Sequence, residues 1–300
     1  MSRRCLINVG GDKMKFGIIG TGIVGTALAV QLERAGHQCV GVHTRSTLSY
    51  RRFRSYLNIE QLDLAALLKE ADWLFITTQD ASIRLVAEAL TREQVAKSGQ
   101  LWVHCSGSLS SQILRVDSNY PISCLSLHPL QAFADVDKAL EYLPGTHFGI
   151  EGDNQDQGEQ IVHDLGGIPH RLIPGSKSSY HAGAVVASNY LVVLASLAVE
   201  LFAQAGIPQE EALRSLIPLM NGTLHNLDQL GLPRALTGPI ARGDVEVVEK
   251  HLAEMPLRLG EVYQILGLRA LDLAVAKQEL TDQAYPDELR RKITGLLGPH

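Results

Sequence analysis

Hydrophobic and polar positions follow two different rhythms along this chain. In the first half, short apolar runs are separated by helical patterns, which is typical of a parallel sheet with crossover helices. The run DWLFITT is continuously apolar rather than alternating, and this indicates a strand buried on both faces. We predict about six to eight strands in one sheet. The candidate strands are 15–19, 38–42, 72–78, 101–105, 122–127, 147–151 and 168–173.

The second half contains only helical patterns, interrupted by glycine and proline at 206–208, 231–233 and 238–239. The sequence therefore predicts an α/β domain at 14–174, followed by an all-α domain at 175–300. The apolar run 182–199 resembles a membrane span in length, but it carries serine and asparagine and lacks a basic flank on one side. We expect this run to be a central helix packed inside the helical domain.

Composition narrows the functional classes. The 300 residues are 45% hydrophobic and 20% charged, as in an ordinary soluble globular protein. The net charge of −5 gives no reason to expect a nucleic-acid partner, so a small molecule is the better candidate. Four separated cysteines without a C-x-x-C pair fit neither a zinc site nor a disulfide framework, and no metal site is expected. We expect reduced thiols in a cytoplasmic protein, with residues 1–13 as a tail too short in apolar sequence for a signal peptide.

The first chemical motif is G-x-G-x-x-G at residues 20–25. It follows a predicted strand and opens a predicted helix, which is the context that the motif requires. In a Rossmann-like domain its glycines allow a tight turn, close approach to a pyrophosphate and packing of the helix on the strand. The expected cofactor-binding residues in this loop are Gly20, Thr21, Gly22, Ile23 and Val24.

The end of the second strand, VHTRS at 42–46, indicates which cofactor is preferred. A fold specific for NAD would carry Asp or Glu about twenty residues beyond the motif, where it binds the ribose 2′-hydroxyl. Here Thr44, Arg45 and Ser46 occupy the strand end and no acidic residue lies near it. Hydroxyls and a guanidinium bind a phosphate through charge-assisted hydrogen bonds, so we predict NADP(H). Three further arginines, at 51, 52 and 54, are interpreted as a solvated surface cluster.

Later strand ends supply further candidates. Thr77 and Thr78 follow one strand, and Ser106 and Gly107 follow the next, where they would line the path of the cofactor; the alternative for the nearby Ser108 is helix capping. His128 ends another strand. Its ordinary pKa suits proton transfer, although a lone histidine is often structural.

A third cluster opens the helical domain. At about 100° per residue, Lys177, His181 and Ser188 fall within roughly 40° of one another on a helix. We predict that these three side chains line a wet cleft between the domains, with Asn189 at its flank. Further along, Arg242 lies in a tight loop, where it is a candidate to bind a substrate carboxylate or to form a structural salt bridge.

These residues resemble a group of bacterial Rossmann-like proteins that carry a C-terminal domain of unknown function and are described as NADP-dependent oxidoreductases. The segments that carry the resemblance are GIIGTGIVG, HCSGSLS, LHPLQAF, SYHAGAVVASNYL and LTGPIARGD. More distantly, the chain is similar to pyrroline-5-carboxylate reductase, prephenate dehydrogenase and the β-hydroxyacid dehydrogenases. The last of these use a K-x-x-x-N helix motif, from which Lys177-x-x-x-His181 departs by carrying His in place of Asn. The His-Pro pair of prephenate dehydrogenases resembles His128-Pro129.

The resemblance implies an NADP(H)-dependent oxidoreductase acting on a small substrate, with a carboxylate as one candidate group of that substrate. His128, or His181 with Lys177, would handle the proton. The alternative is a dinucleotide-binding sensor or scaffold without catalysis, which would have no use for a polar stripe in a cleft. We further expect a homodimer formed through 182–206, because its surface is small and apolar.

Overall fold

The computed structural model describes residues 13–280 and 284–298. The predicted N-terminal tail and Cys5 lie outside the described residues. The chain forms two compact units, of which the first ends at Ser188 and the second begins at Asn189. We call them the sheet unit and the helical unit.

The sheet unit is built on seven strands in the order β2-β1-β3-β4-β5-β6-β7. All neighbouring strands are parallel except β5 and β6, which are antiparallel. The strands are β1 (Lys15–Ile19), β2 (Gln38–His43), β3 (Trp73–Ile76), β4 (Gln100–His104), β5 (Ile122–Pro129), β6 (His147–Gly152) and β7 (Ile168–Arg171). This mostly parallel sheet, followed by a helical region, confirms the predicted fold class.

Helices cover both faces of the sheet. One face packs through Phe16 and Phe148 against α1 and α6, and the other packs through Leu74 and Trp102 against α3 and α4. The Asp63 carboxylate accepts a hydrogen bond from the Ala66 N–H at 2.7 Å and so caps the N-terminus of α3. The helices are α1 (Ile23–Arg34), α2 (Thr47–Arg54), α3 (Leu64–Glu70), α4 (Asp80–Glu93), α5 (Val136–Tyr142), α6 (Gln155–Asp164) and α7 (Lys177–Ala187).

The helical unit contains two groups of helices with separate buried clusters. Val199 of α8 packs with Ala212 and Leu216 of α9, and these two helices form a hairpin. A larger cluster, which includes Val248 and Ile293, joins the helices from α10 onward. The helices are α8 (Asn189–Gln204), α9 (Gln209–Leu230), α10 (Pro239–Arg242), α11 (Val245–Glu254), α12 (Leu257–Glu279) and α13 (Asp287–Leu297).

The expectation that 182–199 forms a packed central helix is wrong for this chain alone. Val192 is 71% exposed, and Val186 and Tyr190 are also exposed, because nothing in the described chain covers this face. Within the described residues, Lys177–Gln204 is the one helical stretch long and apolar enough to cross a membrane, with 6% of its most apolar window buried. Length and composition alone are weak evidence for a span, and α7 at its start packs with the sheet unit.

The division into compact units falls after Ser188, later in the chain than the predicted domain boundary near residue 175. The physical reason is local. Lys177, the first residue of α7, inserts its side chain among residues of β4 and β5 and is 4% exposed. Helix α7 therefore belongs to the sheet unit, although its sequence continues the helical pattern of the second half.

Candidate active site at the carboxyl edge of the sheet

In the glycine loop, Gly20 and Gly25 lie too close to neighbouring atoms to carry a side chain, whereas Gly22 borders open space. Gly20 has φ +103°, and a Cβ there would lie 2.9 Å from the Thr77 backbone. A Cβ on Gly25 would lie 2.2 Å from the Gly20 carbonyl oxygen, so α1 can pack on β1 only without a side chain at this position. By contrast, a Cβ on Gly22 would meet nothing within 4 Å. The open space at Gly22 is where the backbone and the N-terminus of α1 can approach a pyrophosphate.

Thr77 and Thr78, at the end of β3, have different roles. The Thr77 hydroxyl donates to the Gly20 carbonyl at 2.6 Å and so fastens the glycine loop to β3. The Thr78 hydroxyl is buried and has no hydrogen-bond partner among the described residues, and the same holds for Thr21 in the glycine loop. A buried hydroxyl without a partner is costly, so both groups are suited to contact a polar ligand.

A cavity of about 400 Å³ adjoins the glycine loop. Its lining includes both apolar and polar side chains, which suits a nucleotide with an apolar base face and a polar ribose. The cavity is lined by Ile19, Gly20, His43, Thr44, Arg45, Ser46, Leu64, Thr78, Ser82, Leu85, Val86 and Ala89.

The polar edge of this cavity combines a guanidinium with a helix N-terminus. Ser46 is the N-cap of α2, and its hydroxyl oxygen accepts from the Ser49 N–H at 3.2 Å. The Ser46 hydroxyl proton remains free to donate, and the first turn of α2 adds backbone N–H groups and a positive dipole end. Arg45 is exposed beside it. The residues present therefore fit a dinucleotide with a 2′-phosphate at this edge.

One member of the expected surface cluster of arginines departs from that expectation. Arg52 extends from α2 to the glycine loop, where its guanidinium donates to the Thr21 carbonyl at 3.4 Å. Arg54 instead pairs with Glu60 at 3.4 Å, and Arg51 is exposed. The helix turn separates the three side chains, so only Arg52 faces the loop.

A second group of polar residues lies further along the same edge of the sheet. His128 is close to the end of β5, and its Nδ1 makes a hydrogen bond of 3.1 Å with the Tyr180 hydroxyl of α7. The two rings meet edge to face, with centroids 5.6 Å apart. His181, the next residue of α7, lies with its ring centroid 6.2 Å from that of His128.

Gly107 forms the floor under both histidines. A Cβ at this position would lie 2.6 Å from His181 Nδ1 and 2.8 Å from His128 Nε2, so the two nitrogens converge above a glycine backbone. His181 Nδ1 is buried without a hydrogen-bond partner among the described residues. Two converging imidazole nitrogens, one of them unsatisfied, are suited to hold an oxygen or nitrogen atom of a ligand.

Lys177 anchors α7 to this site. Its ammonium donates to the Ser106 carbonyl at 2.7 Å and to the Ser126 hydroxyl at 2.6 Å. Burial lowers the pKa of Lys177 to about 8. The prediction that Lys177 lines a wet cleft is therefore wrong, because the lysine is enclosed by protein and holds the helix in place.

Burial also changes the acid–base behaviour of two histidines. Burial, reinforced by the Lys177 charge, lowers the pKa of His128 to about 4, and the same two causes lower the pKa of His104 to about 4. The expectation that His128 titrates near neutrality is thus wrong, because a buried imidazolium beside a cation is disfavoured. At neutral pH His128 is an uncharged hydrogen-bonding group.

The serine-rich turn after β4 is held by an aspartate. The Ser106 and Ser108 hydroxyls both donate to the Asp80 carboxylate, at 2.8 and 2.9 Å. The Ser106 hydroxyl oxygen also accepts from the Leu109 N–H at 3.1 Å. Ser106 therefore fixes the loop that presents Gly107, while its carbonyl receives Lys177. Ser110, rather than Ser108, caps the short 3-10 turn Ser111–Leu114.

Comparisons with known proteins match two segments of the chain. Residues 6–129 match the model of a Rossmann-like domain, and residues 146–270 match a domain of unknown function, DUF2520. The chain therefore carries a segment that matches a Rossmann-like domain, followed by a segment that matches DUF2520. No curated protein sequence matches it.

Solved structures share this architecture. A Bacteroides fragilis protein assigned as an NADP oxidoreductase is 22% identical, with a TM-score of 0.66 over 87% of this chain and 98% of its own. A protein from Thermotoga maritima is 28% identical, with a TM-score of 0.68 over 88% and 99%. Pyrroline carboxylate reductase from Plasmodium falciparum, solved with NADP bound, is 13% identical, with a TM-score of 0.56 over 96% and 100%. The fold is that of dinucleotide-binding oxidoreductases.

The cluster around Gly107 draws on both matched segments. Gly107 and His128 belong to the Rossmann-like match, whereas Tyr180 and His181 belong to the DUF2520 match. All of these residues lie within the sheet unit. The start of the DUF2520 segment thus completes a site that the Rossmann-like segment begins.

Other predicted site residues of the DUF2520 segment lie elsewhere. Ser188 ends α7 and is exposed, so it does not share the buried stripe of Lys177, and Asn189 is an exposed residue at the start of α8. Arg242 makes an ion pair of 2.7 Å with Asp244. This is the salt bridge that the sequence left open as the alternative, and the role of Arg242 in substrate binding stays a prediction.

Two residues of the site were missed from the sequence. Tyr180 stands next to His181 and one helical turn after Lys177, and that spacing is a signal that it shares their face. Asp80, the first residue of α4, was not among the predicted site residues. Its contact with the serine-rich turn depends on the neighbouring positions of β3 and β4, which the sequence spacing alone does not give.

Proposed function

We propose that this protein is an NADP(H)-dependent oxidoreductase acting on a small substrate bound above Gly107. The observation that carries the proposal is the cavity edge at Thr44, Arg45 and Ser46, which begins at the glycine loop and offers hydroxyls, a guanidinium and a helix N-terminus. A carboxylate at this edge would repel a 2′-phosphate, and the residues at these positions instead attract one.

The chain would hold the cofactor along the carboxyl edge of the sheet. The α1 N-terminus at Gly22 would receive the pyrophosphate, and Arg45 with Ser46 would receive the 2′-phosphate. A reduced nicotinamide supplies a hydride when it is bound. His128 and His181 would orient the reacting group of the substrate, and Lys177 would keep both histidines in place through its two hydrogen bonds.

The surroundings of Gly107 favour a neutral or anionic reacting group. Lys177 is a buried cation, and its hydrogen bonds go to an uncharged carbonyl and an uncharged hydroxyl. A positive charge close to a site stabilises negative charge that develops on a substrate oxygen during reduction. A substrate carboxylate would also be attracted here, and the predicted contribution of Arg242 to its binding belongs to this proposal.

We also propose a homodimer formed through α8 and α9. Large apolar side chains on these helices are exposed, among them Val192 and Leu219, while the buried cluster between them has three residues. So small a core provides little stability by itself. Extended exposed apolar faces usually pack against a partner. A second copy of the chain offers the same apolar face, as a twofold interface requires.

The test of the cofactor proposal is a fluorescence titration of the protein with NADPH and, separately, with NADH. We expect tighter binding of NADPH. Arg45→Ala should weaken NADPH binding by about 10 to 100-fold, since a charge-assisted hydrogen bond contributes roughly 1.5–3 kcal/mol. Binding of NADH should change little, because it has no 2′-phosphate.

Arg51→Ala is the matched control, since it removes an equal charge from the exposed side of α2. Equal losses in the two variants would mean that only the general positive field matters. A preference for NADH would contradict the phosphate role of Arg45. Binding of NADPH without turnover of any carbonyl or imine substrate would favour the non-catalytic sensor.

A further inference from the structure

The Tyr180 ring lies so close to Gly149 that any side chain at position 149 would overlap it. A Cβ on Gly149 of β6 would lie 2.7 Å from the Tyr180 Cζ and 2.8 Å from its hydroxyl oxygen. In the antiparallel β5–β6 pair, Gly149 stands directly opposite His128, so both face the same side of the sheet. The tyrosine ring therefore lies over Gly149, with its hydroxyl beside His128.

The first turn of α7 holds this tyrosine firmly. The Tyr180 N–H donates to the Ser176 carbonyl at 2.9 Å, and Lys177, in the same turn, is fixed by hydrogen bonds to Ser106, which follows β4, and to Ser126 of β5. Burial raises the pKa of the Tyr180 phenol. The tyrosine is thus a neutral phenol.

The direction of the bond between Tyr180 and His128 follows from these contacts. A phenol O–H is a good donor, and an unprotonated imidazole nitrogen is a good acceptor. Because the phenol is neutral, its hydroxyl proton is available for His128 Nδ1, which lies 3.1 Å from the phenolic oxygen. The nitrogen that a histidine protonates is set by the bond that its other nitrogen makes. His128 then carries its own proton on Nε2, which faces the space above Gly107.

We propose that Tyr180 is a positioning residue that fixes His128 in the Nε2-protonated form and so makes His128 the proton donor to a carbonyl or imine bound above Gly107. This inference rests on the proposed oxidoreductase function, and it assigns the substrate class and the reductive direction to that site.

In this proposal, Tyr180 replaces the proton that His128 gives to the substrate. With its pKa lowered to about 4, His128 is uncharged at neutral pH and has a single proton to give. As a hydride from the cofactor reduces the substrate carbon, the His128 Nε2–H bond breaks and a new O–H or N–H bond forms on the substrate. The Tyr180 O–H bond breaks and its proton passes to His128 Nδ1, so the imidazole stays neutral. Solvent then returns a proton to His128 Nε2, and the Nδ1 proton passes back to the Tyr180 phenolate, so both groups regain their first forms.

His181 supplies the second imidazole nitrogen near the point above Gly107. Its Nδ1 is buried, unsatisfied and close to the same point above Gly107. With the His128 proton directed to that point, a substrate atom there receives a hydrogen bond from His128, and a hydrogen on the substrate can bond to His181 Nδ1. An imine protonated during reduction, or a hydroxyl formed from a carbonyl, offers such a hydrogen.

The test is a measurement of the His128 tautomer by ¹⁵N NMR in cofactor-free protein labelled with ¹⁵N at histidine. The signal of His128 is assigned by its loss in His128→Gln. We expect a protonated Nε2 and an unprotonated Nδ1 near neutral pH. Tyr180→Phe keeps the ring over Gly149 but removes the hydroxyl, and it should bring a measurable population protonated at Nδ1.

Tyr142→Phe is the matched control, because it removes a phenol hydroxyl from an exposed tyrosine of α5 in the same unit. It should leave the His128 signal unchanged. A wild-type His128 protonated at Nδ1 would overturn the proposal. So would a Tyr180→Phe spectrum identical to that of the wild type.

Turnover gives a second and separate readout. With an active carbonyl or imine substrate, Tyr180→Phe should lower kcat by roughly 100-fold or more, with little change in KM, as expected for a lost proton supply. An unchanged kcat would contradict the relay. If the protein bound no NADPH, the proposed oxidoreductase function would fail, whereas the tautomer measurement on cofactor-free protein would still report on Tyr180.

Discussion

The sheet unit and the α8–α9 hairpin of the helical unit use apolar residues in opposite ways. In the sheet unit, large side chains such as Trp102, Phe16 and Phe75 are fully buried between the sheet and its helices. The hairpin buries Val199, Ala212 and Leu216 as its own core, and leaves many of its leucines and valines exposed. Large apolar residues therefore form the core of the sheet unit, whereas in the hairpin many of them form part of the surface.

The two regions therefore differ in what their stability depends on. The groups proposed to bind the cofactor and to move a proton stand on a sheet whose core is complete within one chain. The hairpin has an apolar face that the described residues of its own chain do not cover, so its stability depends on what packs against it. Changes in the two regions should accordingly have different consequences.

The largest effect should follow truncation in the sheet core. Phe75→Ala should lower the free energy of unfolding of the sheet unit by about 3–5 kcal/mol, because it leaves a cavity beside Phe16. Both tryptophans, Trp73 and Trp102, lie in this unit, so tryptophan fluorescence during urea unfolding reports on it specifically. Leu48→Ala, at a side chain 78% exposed, is the control and should change the value by less than about 0.5 kcal/mol.

The next effect concerns the exposed hairpin face. Val192→Glu should raise the dissociation constant of the proposed dimer by about 100-fold or more, since an unpaired charge in an apolar interface costs several kcal/mol. Sedimentation velocity at micromolar concentration measures the change. Leu257→Glu, at a position 82% exposed on α12, should leave the dimer intact. Wild-type protein that sediments as a monomer would contradict the dimer.

The smallest effect is a dependence of sheet-unit stability on pH. His104 and His128 have pKa values of about 4 in the folded protein, against an ordinary value near 6.5. Between these values the unfolded chain binds more protons, so stability falls as the pH decreases through this window. From about pH 7 to about pH 5, each histidine should cost about 2 kcal/mol of unfolding free energy.

Urea unfolding followed by tryptophan fluorescence at the two pH values checks this dependence. The variant His128→Gln cannot titrate at this position, so it should lose about 2 kcal/mol less than the wild type over the same interval. An equal loss in both proteins would mean that His128 is not buried as a neutral group.

Local patterns were sufficient to predict much of the sheet unit. The continuous apolar run of β3, the glycines at 20, 22 and 25, and the cap at Asp63 each depend on contacts within a few residues or on one neighbouring strand. Lys177, His181 and His128 were also recognised as candidates from the sequence. The position of His128 at the carboxyl edge could be expected because parallel strands end at one edge of the sheet, whereas its contact with α7 could not.

Other features depend on contacts between distant segments. The sequence does not show that Lys177 is enclosed, because its burial results from Ser106 and Ser126, which are 71 and 51 residues away. For the same reason it did not predict the lowered pKa of His128. The exposed state of 182–199 was missed because an apolar helix has the same composition whether its cover comes from its own chain or from elsewhere.

The shape of the proposed site depends on two glycines, Gly107 and Gly149, which have no side chain. Gly107 and Gly149 leave room for His128, His181 and Tyr180, and a methyl group at either position would intrude on them. Efforts to evolve a new substrate preference should therefore leave both glycines unchanged and vary the residues around them. In a saturation library, these two positions should be among the least tolerant of the site, even though neither glycine offers a functional group to the chemistry.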